Sequence, residues 1–139
     1  MKALVVLDAS AFDVLDRPGG GDVRRLLLDH APPGVETQCA AVTLAEVCRS
    51  RGRISLIEVA LRPDRDGRRV QVIPTDEALA KDVGLLLASA RRDSCHLADA
   101  HVVALCKNVD RAIVITSDSE DIHHLAASLP GVRIVTRRP

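Results

Sequence analysis

An α/β fold, with a mostly parallel central sheet flanked by helices on both faces, is predicted for this chain by three observations. Short apolar runs alternate with segments of helical period, glycine- or proline-bearing turns punctuate them, and the first run, Ala3 to Leu7, is apolar at every position. Continuous apolarity is what a parallel strand buried on both faces requires. The chain has 139 residues, 47% of them hydrophobic, which is enough for one domain with a proper core and too few for two. A single domain over residues 1–139 is therefore expected.

The elements follow in order. Asp8 ends the first strand, and a short helix is expected over residues 9–15, before Pro18 and the three glycines Gly19, Gly20 and Gly21 break the chain. Residues 22–30 read as a helix with Val23, Leu26 and Leu27 on one face, stopped by Pro32-Pro33-Gly34. A second strand is expected over 39–42, after which Thr43 opens a helix to about Arg49. Another helix covers 54–61 and gives way to a polar loop over 62–69. Residues 70–73 read as strand, Thr75 as the cap of a helix with Asp76 and Glu77 in its first turn, and Ser94 as the start of a helix to about Lys107. The next strand is expected over 112–116. Ser117 or Asp118 then starts a helix through Ala127, Pro130-Gly131 turns the chain, and residues 132–135 close the sheet.

Composition excludes several classes. No run of about 18 apolar residues offers a membrane span, and Met1-Lys2 leads straight into a strand-like run without signal-peptide architecture, so cytoplasmic residence is expected. Cys39, Cys48, Cys95 and Cys106 form no CxxC pair and have no histidines at zinc spacing, which argues for reduced thiols and against a disulfide or zinc framework. Formal net charge is zero, with 19 basic and 19 acidic residues. If Asp8, Glu46, Asp99, Asp118 and Asp121 gather in one metal-neutralised pocket, 14 acids remain against 19 bases, and the rest of the surface is mildly basic. Arginines cluster at Arg24-Arg25, at Arg49, Arg51 and Arg53, at Arg62, Arg65, Arg68 and Arg69, at Arg91-Arg92 and at Arg137-Arg138. Guanidinium suits phosphate, although such clusters also serve simply as solvated faces.

Four acids carry the chemistry. In an open α/β sheet the functional crevice lies beyond the carboxyl ends of the strands, where strand order reverses, and Asp8 and Asp118 both follow strands. Each also has a plain structural reading, Asp8 as a turn residue and Asp118 as a helix N-cap. Glu46 closes the capping box Thr43-Leu44-Ala45-Glu46, so it stands open between capping and function. Asp99 shares a helical stripe with Val102, Val103 and Cys106, with His96 and Lys107 directed elsewhere. A carboxylate there must pair with an arginine, bind a metal or take up a proton.

Carboxylates converging without a matching set of histidines specify a hard cation, Mg²⁺ or Mn²⁺, and suit phosphate-ester hydrolysis, in which the ion polarises a phosphate oxygen and activates water. Ser10 lies beside Asp8, and Thr116 and Ser117 beside Asp118, where their hydroxyls serve either turn bonding or water positioning. Among the histidines, His123 and His124 are adjacent on a helix and so do not chelate together, His101 points away from the Asp99 stripe, and His30 and His96 give no signal.

The segments Val6-Leu7-Asp8-Ala9-Ser10, Val42-Thr43-Leu44-Ala45-Glu46-Val47, Leu97-Ala98-Asp99-Ala100-His101-Val102-Val103-Ala104 and Val114-Ile115-Thr116-Ser117-Asp118-Ser119-Glu120-Asp121 resemble the acidic motifs of PIN-domain ribonucleases. Their order and spacing are most similar to VapC-type toxins of toxin–antitoxin pairs, and the resemblance spans nearly the whole chain. It implies a metal-dependent endoribonuclease that leaves a 5′-phosphate, is restrained by a cognate antitoxin and is often a homodimer. It also implies that Asp8, Asp99 and Asp118 are the main metal-site carboxylates, that Glu46 completes the quartet by holding a coordinated water or a second ion, and that Asp121 matches a further family acid. One departure concerns RNA contact. Phe12 is the chain's single aromatic residue, so recognition has to rest on arginine, backbone groups and RNA shape.

Other classes fit less well. A haloacid-dehalogenase-type phosphatase needs a second aspartate two residues after the first, where this chain has Ser10, and a receiver domain needs paired early acids. The stronger rival is a noncatalytic PIN-like module that binds RNA or a protein partner, and metal dependence discriminates the two.

Overall fold

The apolar runs become strands and the amphipathic segments helices, in a computed structural model that describes residues 2–18 and 21–139. The strands are β1 (Ala3–Leu7), β2 (Glu36–Ala40), β3 (Val70–Ile73), β4 (Arg111–Ile115) and β5 (Arg133–Arg137). The helices are α1 (Val23–His30), α2 (Ala41–Val47), α3 (Arg51–Leu61), α4 (Glu77–Ala90), α5 (Leu97–Leu105) and α6 (Ser119–Ala126), with 3-10 segments at Ala9–Asp16 and Ser94–His96. Of the expected chain break after Pro18, Gly19 and Gly20 lie outside the described residues.

All strand pairings are parallel, in the order β3-β2-β1-β4-β5. The chain builds outward from β1 through β2 to β3, then returns to place β4 on the other side of β1 and β5 beyond it. Strand order therefore reverses between β1 and β4, which opens a crevice at their carboxyl ends. Alternation along β1 divides the interior into two layers. Leu4 and Val6 pack with Leu79, Val83 and Leu86 of α4, Val102 and Val103 of α5, and Ile122 and Leu125 of α6. Val5 and Leu7 pack with Phe12, Val14, Val23, Leu26 and Ile57 on the opposite face. Each such fully buried side chain contributes about 1.5–3 kcal/mol. Phe12, the lone aromatic, is 0% exposed and is withheld from any base.

Several boundaries depart from expectation, for identifiable reasons. β2 spans Glu36–Ala40 rather than 39–42, because pairing of Glu36 with Leu4 and of Thr37 with Val70 recruits polar residues that periodicity does not flag as strand. α2 starts directly at Ala41, so Thr43 lies inside the helix and the Thr43–Glu46 capping box does not form. α3 begins at Arg51, earlier than its apolar period, because the Ser50 hydroxyl accepts the Arg53 N–H at 3.1 Å. Asp76, not Thr75, caps α4, accepting the Leu79 N–H at 2.8 Å. The Thr75 hydroxyl pairs instead with His101 Nε2 at 2.9 Å, and His101 Nδ1 lies 2.7 Å from the Leu97 carbonyl, so His101 is a buried, satisfied residue. The first short helix is 3-10, and a 3-10 turn also precedes α5. β4 and β5 are Arg111–Ile115 and Arg133–Arg137 rather than 112–116 and 132–135, since Arg111 pairs with Arg133 and Ile115 with Arg137. Among the described residues no helix is long and apolar enough to cross a membrane.

Candidate metal centre

Register sets the floor of the crevice. Leu7 pairs with Ile115, so the next residues, Asp8 and Thr116, emerge side by side at the reversal point. The Asp8 N–H donates to the Ile115 carbonyl at 3.1 Å. Both oxygens of the Asp8 carboxylate are engaged, Oδ1 by the Ala9 N–H at 2.7 Å and Oδ2 by the Thr116 hydroxyl at 2.6 Å. The Thr116 hydroxyl in turn accepts the Asp118 N–H at 2.9 Å, and the Ser10 hydroxyl accepts the Ser117 N–H at 2.8 Å. Ser10, Thr116 and Ser117 thus tie the β1 and β4 loops together and aim Asp8, and Ser117 does so through its backbone. Each carboxylate oxygen keeps a further lone pair for another partner.

The other acids approach from the helices. Asp118 occupies the N-cap position of α6, yet its side chain makes no capping bond and is free to face the crevice. Asp99 lies in the first turn of α5, half-buried, where the helix N-terminus favours negative charge. Glu46 lies near the end of α2, which packs against both the first 3-10 segment and α5 and so sits over the crevice.

Electrostatics binds the four into one group. Burial raises the pKa of Asp8 above the ordinary carboxylate value; the hydrogen bonds from Thr116 and Ala9 oppose this, and the charges of Asp118 and Asp13 add to it. Partial desolvation also raises Glu46, although the residue is exposed at the mouth, with the charges of Asp8, Asp99 and Asp118 reinforcing it and Arg49 opposing. Asp99 is raised by burial first, then by Asp8, Asp121 and Asp118, against a lowering contact with His96. Among the described residues no lysine or arginine forms an ion pair with Asp8, Glu46, Asp99 or Asp118. The buried Asp99–arginine pair open at the sequence level is therefore absent from this set.

Two residues join the site beyond the expected ones. His96 was expected to point away from Asp99, but it is the N-cap residue of α5 with near-helical backbone, and its Nδ1 lies 3.5 Å from Asp99 Oδ2 and 4.0 Å from Asp121 Oδ2. One donor atom from each of His96, Asp99 and Asp121 lies within 4.8 Å of the others, a tighter set than the expected quartet provides. Asp121 thereby sits to one side of Asp8, with its Oδ1 3.8 Å from Arg92. Asp13, on the 3-10 segment after Asp8, adds charge at the mouth. The signals for both were spacing alone, three residues before Asp99 and five after Asp8.

A groove of about 520 Å³ runs from the mouth, lined by Ser10, Asp13, Asp16, Glu46, Arg49 and Arg53 among others. Arg53 is ion-paired with Asp16, while Arg49 Nε donates to the Glu46 carbonyl at 2.8 Å. His123 and His124 diverge, as expected for neighbours on a helix, with contacts to Thr136 and to the Ala90 carbonyl.

No protein-family model matches the chain, and no curated protein is significantly similar to it in sequence. Solved structures do resemble it. A chain in the crystal structure of VapBC2 from Rickettsia felis bound to a promoter DNA fragment superposes with a TM-score of 0.61 at 13% identity, covering 96% of this chain and 98% of that one. A chain of VapBC-1 from nontypeable Haemophilus influenzae gives 0.59 at 16% identity, over 96% and 97%. A chain of DNA-bound VapBC from Salmonella typhimurium gives 0.53 at 17%, over 98% of both. At these identities the likeness establishes the fold, a five-stranded parallel sheet between helical layers matching a PIN-like domain.

Proposed function

We propose that this chain, sharing the fold of chains found in VapBC complexes, is a metal-dependent endoribonuclease and the toxin of a toxin–antitoxin pair. One observation carries the reading: Asp8, Asp99, Asp118 and Glu46 converge at the strand-order reversal, burial raises the proton affinities of Asp8, Asp99 and Glu46, and among the described residues no lysine or arginine is ion-paired to any of the four. Fixed like charges at close quarters are costly unless a cation neutralises them. An all-oxygen set of this kind fits Mg²⁺ or Mn²⁺.

Asp8, Asp99 and Asp118 would hold the ion, with Glu46 completing the set and Asp121 at its margin. When bound, such an ion supplies charge stabilisation at the phosphate and a stronger nucleophile at neutral pH. The chain's own residues do the rest. Thr116 and the Ala9 N–H fix the Asp8 carboxylate before substrate arrives, which removes reorganisation from the reaction step. Glu46, with its proton affinity raised, is suited to accept a proton from the attacking water. Arg49, beside Glu46 in the groove, would meet RNA phosphates in this reading. The proposal includes a cognate antitoxin, a homodimer and cytoplasmic residence, within one domain over residues 1–139.

Cleavage of total cellular RNA by the purified protein tests this, with Mg²⁺ or Mn²⁺, with EDTA, and with Asp8→Asn and Glu46→Gln. Discrete fragments are expected only with metal and wild type, and the variants should lose roughly 10²-fold or more in rate. A folded, metal-loaded, antitoxin-free wild type that cuts nothing would leave a noncatalytic binding module as the better reading.

A further inference from the structure

His96, Asp99 and Asp121 bring one donor atom each to within 4.8 Å of the others, and one of the three donors is nitrogen. Donors that share one cation at about 2.0–2.2 Å stand about 3–3.5 Å apart when adjacent. His96 Nδ1 is already 3.5 Å from Asp99 Oδ2 and 4.0 Å from Asp121 Oδ2. With all three donors within 4.8 Å of one another, closing the group to that spacing needs side-chain movement of roughly 1–2 Å. The supports come from separate elements. His96 is fixed at the N-cap of α5, Asp99 stands in the first turn above it, and Asp121 comes from α6. Arg92, 3.8 Å from Asp121 Oδ1, engages that oxygen and leaves Oδ2 toward the imidazole. All three side chains are partly buried, so they are partly desolvated yet open to an entering ion.

We propose that His96 ligates a divalent cation together with Asp99 and Asp121, and that its imidazole nitrogen makes this chain prefer a first-row transition ion such as Mn²⁺ over Mg²⁺. Mg²⁺ takes oxygen donors, whereas imidazole suits the transition series, so a single nitrogen among carboxylates shifts selectivity without abolishing binding. The inference rests on the proposed function only through the shared Asp99.

Pulsed EPR of the full chain, stripped with EDTA and reloaded with Mn²⁺, reads the bond directly. A ¹⁴N coupling from a coordinated imidazole is expected in wild type and lost in His96→Gln. The Mn²⁺ dissociation constant should rise roughly tenfold in that variant, while Mg²⁺ affinity changes by no more than about twofold. His96→Asp should retain divalent binding and move the preference toward Mg²⁺. Bound Mn²⁺ without nitrogen coupling in wild type overturns the inference even if His96→Gln misfolds; metal-dependent RNA cleavage alongside such a spectrum would leave the nuclease reading intact. Failure of wild type to bind Mn²⁺ at all would overturn both.

Discussion

Thr43 carries a hydroxyl that is buried without a hydrogen-bond partner among the described residues, on a side chain only 1% exposed. As a helix cap it would have been satisfied; inside α2 it is desolvated for no return. Thr43→Val keeps the shape and removes the stranded polar group, so it should raise unfolding stability by about 1 kcal/mol, read from urea denaturation. The same displacement clarifies Glu46, five residues past the start of the helix rather than in its first turn, with no capping duty left. The position of Asp8 and Asp118 at the crevice was legible because strand ends are set by local pattern, and the crevice follows from strand order. His96 and Asp13 were not. Their proximity to the acids depends on how the α5 and α6 termini pack and on a 3-10 path after β1, which no local spacing specifies.

At the scale of elements, caps and pairings decided the boundaries more than periodicity did. Thr75 and Asp76 are adjacent and both able to cap α4, and tertiary structure divides their work: Asp76 takes the Leu79 N–H while Thr75 turns to His101. Asp76→Ala should therefore cost about 1 kcal/mol of stability, measured by thermal or denaturant unfolding, with no change in the His101 environment followed by NMR. Thr75→Ala should do the reverse, moving the His101 resonances while α4 stays capped. The helices and central strands were readable because their apolar patterns were long or continuous, as in Ala3–Leu7. The start of β2 was not, since Glu36 and Gln38 are strand residues by virtue of their partners, Leu4 and Val6 on β1.

For the whole molecule, the acidic crevice sets a pH dependence of unusual sign. Asp8, Glu46 and Asp99 have raised proton affinities, chiefly through burial, so the folded state binds these protons more tightly than the unfolded chain. Their contribution to the metal-free protein is therefore most favourable at low pH, and is lost as pH rises from the unfolded values of about 4 through the raised folded values. Glu46→Gln isolates one term. In EDTA, the variant should be more stable than wild type at pH 7, and the difference should shrink toward zero near pH 4, followed by Tm against pH. Divalent metal reverses the sign at pH 7: at about 100 times its Kd it should add about 2.7 kcal/mol to wild type. A wild-type Tm indifferent to metal at pH 7 would contradict the shared-cation account of the four acids.

The hydrogen bond between Asp8 and Thr116 also says something about the order of events during synthesis. Its two residues are 108 positions apart, and it forms only when β4 inserts beside a β1 made long before. At about 5–20 residues per second, a ribosome takes roughly 5–20 s to deliver the intervening stretch. Through that interval β1 has one edge without its neighbour and Asp8 lacks the hydroxyl that aims it. A nascent chain stalled before β4 would hold the first carboxylate and the helix bearing Glu46 but no assembled crevice, so the cutting chemistry proposed for the finished molecule would be withheld from the machine still making it.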